Sequence, residues 1–140
     1  MKKSVLILCT GNSARSQMAE GLLRTLTSDG LEVESAGTRP SAVRPEAIAA
    51  LAEIGIDISG HRSKSVDEFT GRAFDFVLTV CDNAKENCPY FAGATRVVHR
   101  LFDDPADAVG DFEARLNEFR RVRDPVREYF ETEFIELISK

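Results

Sequence analysis

The sequence has no apolar run long enough to cross a membrane, and its start lacks the combination of positive charge, apolar stretch and small residues that marks an export signal. A cytoplasmic location is therefore the expectation. Basic residues are also scarce: 18 Lys and Arg stand against 23 Asp and Glu, for a net charge of −5. No basic stripe is present to collect nucleic-acid phosphates, so any anion site must be local. Internal repeats and low-complexity segments are missing. The three cysteines, Cys9, Cys81 and Cys88, are an odd number in a chain of this type, which excludes a disulfide scaffold. Zinc fits no better. Neither the six residues between Cys81 and Cys88 nor the distant Cys9, even with His61 or His99 added, match the short ligand spacings of a zinc site. No metal and no bound cofactor are expected.

What the 140 residues do contain is a regular alternation of strand-like and helix-like patterns, in a length suited to one domain over residues 1–140. Residues 5–8 form a short apolar run suited to a strand buried on both faces. Met18, Ala19, Leu22, Leu23 and Leu26 then recur at helical spacing. Residues 31–35, 76–80 and 95–98 read as further strands. Pro45 opens a second helix carrying Ile48, Leu51 and Ala52, with Gly55 as its stop. From Phe112 through Leu116, Phe119, Val122, Val126, Phe130, Phe134 and Leu137 a helical period crosses Asp124-Pro125. That predicts either one long helix with a kink or two helices with Asp124 as cap. The alternation predicts an α/β fold with a parallel sheet of about four strands and helices on both faces. In such folds ligands bind beyond the carboxyl ends of the strands. Cys9, Cys81 and Asp103-Asp104-Pro105 follow the first, third and fourth strands, so the fold gathers them at one edge.

The stretch "VLILCTGNSARSQMAE" takes its meaning from that edge. A strand ends in Cys9, small and polar residues follow, and Arg15 leads into a helix. Thr10, Gly11, Asn12, Ser13, Ala14, Arg15 and Ser16 then form a loop whose backbone N–H groups converge on one anion, aided by the helix N-terminal dipole. Gly11 and Asn12 suit the unusual backbone angles this needs. Arg15 grips two oxygens of a tetrahedral oxyanion through its planar fork, and Ser13 and Ser16 offer hydroxyls to the sulfur or the anion. The same donors favour the Cys9 thiolate. Lowering a cysteine pKa from about 8.5 to about 6 takes roughly 3.4 kcal/mol and makes the thiolate the main form at pH 7. A nucleotide-binding P-loop is excluded, because no Gly-Lys-Ser/Thr follows.

The segments "CTGNSARSQMAEG", "SAGT", "EIGIDISGHRSK", "VLTVCDNAKENCP" and "FDDPA", in this order over nearly the whole chain, resemble the thioredoxin-coupled arsenate reductases, which share the low-molecular-weight protein tyrosine phosphatase fold. The resemblance implies a two-electron reduction of arsenate to arsenite. Cys9 is then the nucleophile, Arg15 and the loop amides bind the oxyanion, and Asp104 is the general acid, with Asp103 the less suited neighbour. Thiolate attack on arsenic(V) expels water when the acid protonates the departing oxygen. Attack by Cys81 on the Cys9 sulfur leaves the electron pair on arsenic, releases arsenite and makes a Cys9–Cys81 disulfide. Cys88 then attacks Cys81, and thioredoxin, the implied partner, reduces the Cys81–Cys88 bridge. Glutaredoxin and mycothiol systems are alternative reductants. The intervening "DNAKEN" must rearrange for Cys81 to reach two partners.

The alternative activity is a phosphotyrosine phosphatase working through a phosphocysteine. Against it, Ala106 stands where phosphatases of this fold carry an aromatic residue, and a phosphatase has no need of the cysteine pair. A non-catalytic oxyanion sensor is the third reading. Two positions depart from the family pattern. Ala14 stands where a number of relatives have a further cysteine. Some relatives hold potassium behind the loop with residues matching Asn12, Glu20, Ser35 and an aspartate, and here Lys64 takes the aspartate's position. Its ammonium is expected to substitute for the metal, meeting Glu20 and the Ser35 oxygen while Asn12 holds the loop. Otherwise His61-Arg62-Ser63-Lys64 reads as a solvated turn, and His99 as a satisfied core histidine.

Overall fold

The four strands and the helices follow from where the apolar residues can hide. The computed structural model describes residues 3–9, 11–28, 30–69, 71–80, 94, 96–105 and 108–138. Thr10, Cys81, the "DNAKEN" segment, Cys88 and Ala106 lie outside them. Strand β1 spans Lys3–Cys9, β2 Leu31–Gly37, β3 Phe76–Thr79 and β4 Arg96–His99, all parallel in the order β2-β1-β3-β4. Val5, Leu6, Ile7 and Leu8 are wholly buried. Successive strand residues point to opposite faces, so both faces of β1 are covered. The expected parallel sheet is thus present, with the first strand near its centre.

Helix α1 spans Arg15–Leu26, α2 Pro45–Ala52 and α3 Phe112–Tyr129, and the three pack on one another. Gly55, at φ 81°, closes α2: Gly55 N donates to Ala52 O and Ile56 N reaches back to Leu51 O at 2.9 Å. This is the left-handed exit that glycine takes without strain. Asp111 caps α3, accepting from Ala114 N at 2.8 Å.

Of the two alternatives for the last segment, the structure takes the continuous helix. Pro125 lies inside α3, and Asp124 accepts from its neighbour Arg123 Nε at 2.8 Å instead of capping a second helix. Phe119, Val122, Val126, Phe130 and Phe134 are all buried, and their burial outweighs the ~3 kcal/mol that an internal proline costs. A wider π turn, Phe130–Phe134, precedes a last helical turn, α4, at Ile135–Ile138. Residues four apart advance by about 40° around an ordinary α-helix. The wider turn counters that drift and keeps Phe130, Phe134 and Ile138 facing inward.

Where the chain passes from β2 to β3 it crosses beyond β1, and this change of direction opens the crevice in which such folds place ligands. Cys9 pairs with Gly37 at the β1–β2 ends, while Val80 N bonds Leu8 O at 2.9 Å and Phe102 N bonds Val80 O at 3.2 Å. The exit of β4 is thereby drawn toward the exit of β1.

Gly21 sits in the middle of α1, where a Cβ would lie 2.7 Å from both Ile58 Cγ2 and Leu51 Cδ1. Leu51 and Ile58 are themselves buried and have little room to retreat. Gly21→Ala is expected to destabilise the protein in urea melts, because overpacking of about 1–3 kcal/mol exceeds the roughly 1 kcal/mol gain in helix propensity. A rise in the denaturation midpoint would contradict this close approach of α1 to the α2 region.

Candidate active site

Strand β1 delivers Cys9 to the crevice, and the first turn of α1 starts six residues later. Ala14 occupies the helix N-cap and supplies no capping side chain, and the first turn contains no acidic residue. The helix start therefore receives neither a side-chain cap nor an acidic first-turn residue. Asn12 takes the left-handed backbone angle, at φ 46°, as its residue type suits.

Asn12 organises the loop. Lys64 N, a backbone donor that cannot reverse its role, donates to Asn12 Oδ1 at 2.8 Å, and Gln17 Nε2 donates to the same oxygen at 3.0 Å. The Asn12 amide nitrogen must then face the other way, where Nδ2 donates to Ser16 Oγ at 2.8 Å and to Ser35 Oγ at 2.9 Å. Ser16 Oγ, already accepting from Asn12, has its own proton free for Cys9 Sγ, 2.9 Å away. The same hydroxyl keeps a second lone pair, so it accepts from a Cys9 thiol or donates to a Cys9 thiolate, and in the second form its proton supports the negative sulfur. Cys9 is 3% exposed, so only a small reactant can reach it.

Backbone groups of the loop are held from outside as well. Gly11 O accepts from Ser63 Oγ at 2.9 Å and from Ser41 N at 3.1 Å, while Ser13 O accepts from Arg44 N at 3.0 Å. Gln17 Nε2 bridges Asn12 O and Arg62 O. Residues 61–64 are therefore a brace for the loop, which corrects their reading as a solvated turn. Tertiary packing turned Lys64 inward, to 7% exposed, while Arg62 keeps an exposed side chain paired with Glu68.

Behind the loop lies the buried carboxylate of Glu20. It accepts from Ser35 Oγ at 2.6 Å and lies 3.3 Å from Arg24 NH2, 3.5 Å from His61 Nδ1 and 3.6 Å from Lys64 Nζ. Lys64 also lies 3.9 Å from Glu34. The Ser35 hydroxyl stands between Asn12 and Glu20 and is not the lysine's described partner, which narrows the expected lysine contacts to carboxylates. Burial pushes the His61 pKa down, against the opposing pull of Glu20. Its Nδ1 faces Gln17 Oε1 at 3.2 Å, linking this cluster to the loop.

On the open side, Arg15 donates to Phe102 O at 3.1 Å and pairs with Asp104 Oδ2 at 3.1 Å. Asp103 turns away to Arg121 at 3.2 Å. The structure therefore brings together Cys9, Asn12, Ser16, Arg15 and Asp104, with Glu20, Ser35 and Lys64 behind them. His99, half-buried, shares a hydrogen bond of 2.6 Å with Thr79 Oγ1, in keeping with a structural role. Gln17, His61, Arg44, Ser41 and Ser63 were not singled out as loop supports from sequence. Only Gln17 left a readable signal there: Gln17, Glu20 and Arg24 form a polar row at helical spacing on a helix whose apolar residues face the core.

Comparison with known proteins bears on the same residues. A family model described as low molecular weight phosphotyrosine protein phosphatase matches residues 4–138. A protein of Halalkalibacterium halodurans named arsenate reductase is 44% identical over 131 residues, 94% of each chain. A solved structure of an arsenate reductase in the phosphate binding state is 34% identical, with TM-score 0.81, covering 96% of this chain and 98% of that one. A thioredoxin-dependent arsenate reductase of Corynebacterium glutamicum is 25% identical, with TM-score 0.66, over 96% of this chain and 63% of that one.

Removing the hydroxyl that faces Cys9 is expected to show directly. In Ser16→Ala, the pH midpoint for iodoacetamide alkylation of Cys9, resolved by peptide mass spectrometry, should rise by about one unit. An unchanged midpoint would mean that Ser16 does not stabilise the thiolate.

Proposed function

The chain belongs to the low molecular weight phosphotyrosine protein phosphatase family, and from that membership we propose that it is an arsenate reductase recycled by thioredoxin. The observation that carries the reading is the aim of two independent groups at one loop: Ser16 Oγ at Cys9 Sγ, and Asp104 at Arg15. Relatives named arsenate reductase that align over nearly the full length support the choice of substrate.

In this mechanism the oxyanion settles against the amides of residues 10–16 and the Arg15 guanidinium. The Cys9 thiolate attacks arsenic, and Asp104 protonates the departing oxygen so that it leaves as water. Asp103 is a poor substitute, since Arg121 holds it away. Cys81 then attacks the Cys9 sulfur; the electron pair of the breaking sulfur–arsenic bond stays on arsenic, and arsenite departs. Exchange with Cys88 moves the disulfide to Cys81–Cys88 and restores Cys9, and thioredoxin reduces the new bridge. The spacing of the two cysteines and the thioredoxin-dependent relative support this relay. A secondary phosphatase activity through a phosphocysteine follows from the same loop, and the matching family model favours it.

Lys64 serves as a tethered cation in place of a bound metal. Its ammonium, buried between Glu20 and Glu34, balances charge behind the loop.

With thioredoxin, thioredoxin reductase and NADPH, the protein is expected to turn over arsenate repeatedly. Cys9→Ser, Cys81→Ser and Cys88→Ser should each lose multiple turnover. Cys88→Ser alone should complete a single reduction and trap Cys9 bonded to Cys81, visible by mass spectrometry. Full steady-state activity in Cys88→Ser would refute the relay.

Exchanging sodium for potassium at constant ionic strength is expected to leave the rate unchanged, whereas Lys64→Asp should acquire a potassium requirement. Steep potassium-specific activation of the wild type would rule the tethered cation out.

A further inference from the structure

The arginine that should receive the oxyanion is already occupied. Arg15 NH2 lies 3.1 Å from Asp104 Oδ2, so the anion-binding guanidinium and the acid are paired to each other. The pair is asymmetric: the Arg15 side chain is 10% exposed and the Asp104 side chain 40%. Arg15 is also anchored by a second hydrogen bond from NH1 to Phe102 O, at 3.1 Å.

We infer that the Asp104 carboxylate is a resident counter-ion for Arg15 that every incoming oxyanion must displace, so that substrate binding and release of the acid are one event. An oxyanion that takes Arg15 leaves the Asp104 carboxyl beside its own oxygens, within reach of the group that departs. The inference rests on the reading of the loop as an oxyanion site.

The test is inorganic phosphate binding, measured by calorimetry on the wild type, Asp104→Asn, Asp104→Ala and, as control, Asp103→Asn. Asp103 carries the same charge one residue away, but is paired with Arg121. If Asp104 competes, both Asp104 variants bind phosphate about three- to tenfold more tightly than the wild type, and Asp103→Asn does not. A residue that merely supported the loop would weaken binding when removed, so the sign of the change separates the two roles. Equal tightening in Asp103→Asn and Asp104→Asn would reduce the effect to a general field and overturn the inference. Unchanged or weaker binding in both Asp104 variants would overturn it too. A wild type that binds no phosphate at millimolar concentration overturns the oxyanion site itself, and the inference with it.

Discussion

The site depends on the orientation of one side-chain amide. Asn12 has a donor end and an acceptor end, and the Lys64 backbone N–H, together with Gln17 Nε2, which two backbone carbonyls hold as a donor, settles which is which. Once Oδ1 is committed, Nδ2 must donate to Ser16 and Ser35; the Ser35 hydroxyl donates on to Glu20, and the Ser16 hydroxyl is left to share a hydrogen bond with Cys9. None of these bonds is strong by itself, each contributing about 1 kcal/mol. Their value lies in position: the chain of bonds sets the Ser16 hydroxyl 2.9 Å from the sulfur. Buried as the network is, any unpaired member would be costly, so the loop is held to this one arrangement.

Charge is handled the same way, by position and not by amount. The protein carries a net charge of −5, yet the proposed function asks for an anionic nucleophile and an anionic ligand at one place. Positive character is concentrated in two places: the uncapped first turn of α1 with Arg15, and Arg24 and Lys64 around buried Glu20. The second group lies behind the first. It fixes Glu20, which fixes Ser35, which fixes Asn12. The Lys64–Glu20 part of this support is buried and so little screened by salt, whereas Arg24 reaches it from a partly exposed position.

Sheet order explains why these groups meet. Cys9 and Arg15 belong to one strand–loop–helix unit, but Lys64 comes from the segment after β2, and Asp104 from beyond β4. Gly37 N bonds Lys64 O at 2.8 Å, and the Gly37–Ser65 bridge extends the sheet edge just far enough to set residues 61–64 under the loop. On the other side, Phe102 N on Val80 O brings the Asp103-Asp104 corner to Arg15. The parallel arrangement puts all of these chain exits at one end.

Local features could be read directly. The buried strand at residues 5–8, the helix after Arg15, the stop at Gly55 and the loop from Cys9 to Ser16 are each written in fewer than about fifteen consecutive residues, where spacing and residue type decide the conformation. Asn12 as a left-handed residue was equally legible. The brace from residues 61–64, the choice of Asp104 over Asp103 as the partner of Arg15, and the continuity of α3 through Pro125 were settled by contacts between segments far apart in sequence. A solvated turn and a buried brace have the same composition, and a proline breaks or spares a helix according to how much apolar surface the helix buries. By itself the sequence determined the chemical groups and their local geometry; the tertiary structure decided which of them face one another, because burial and hydrogen-bond pairing are satisfied only when the whole sheet is assembled.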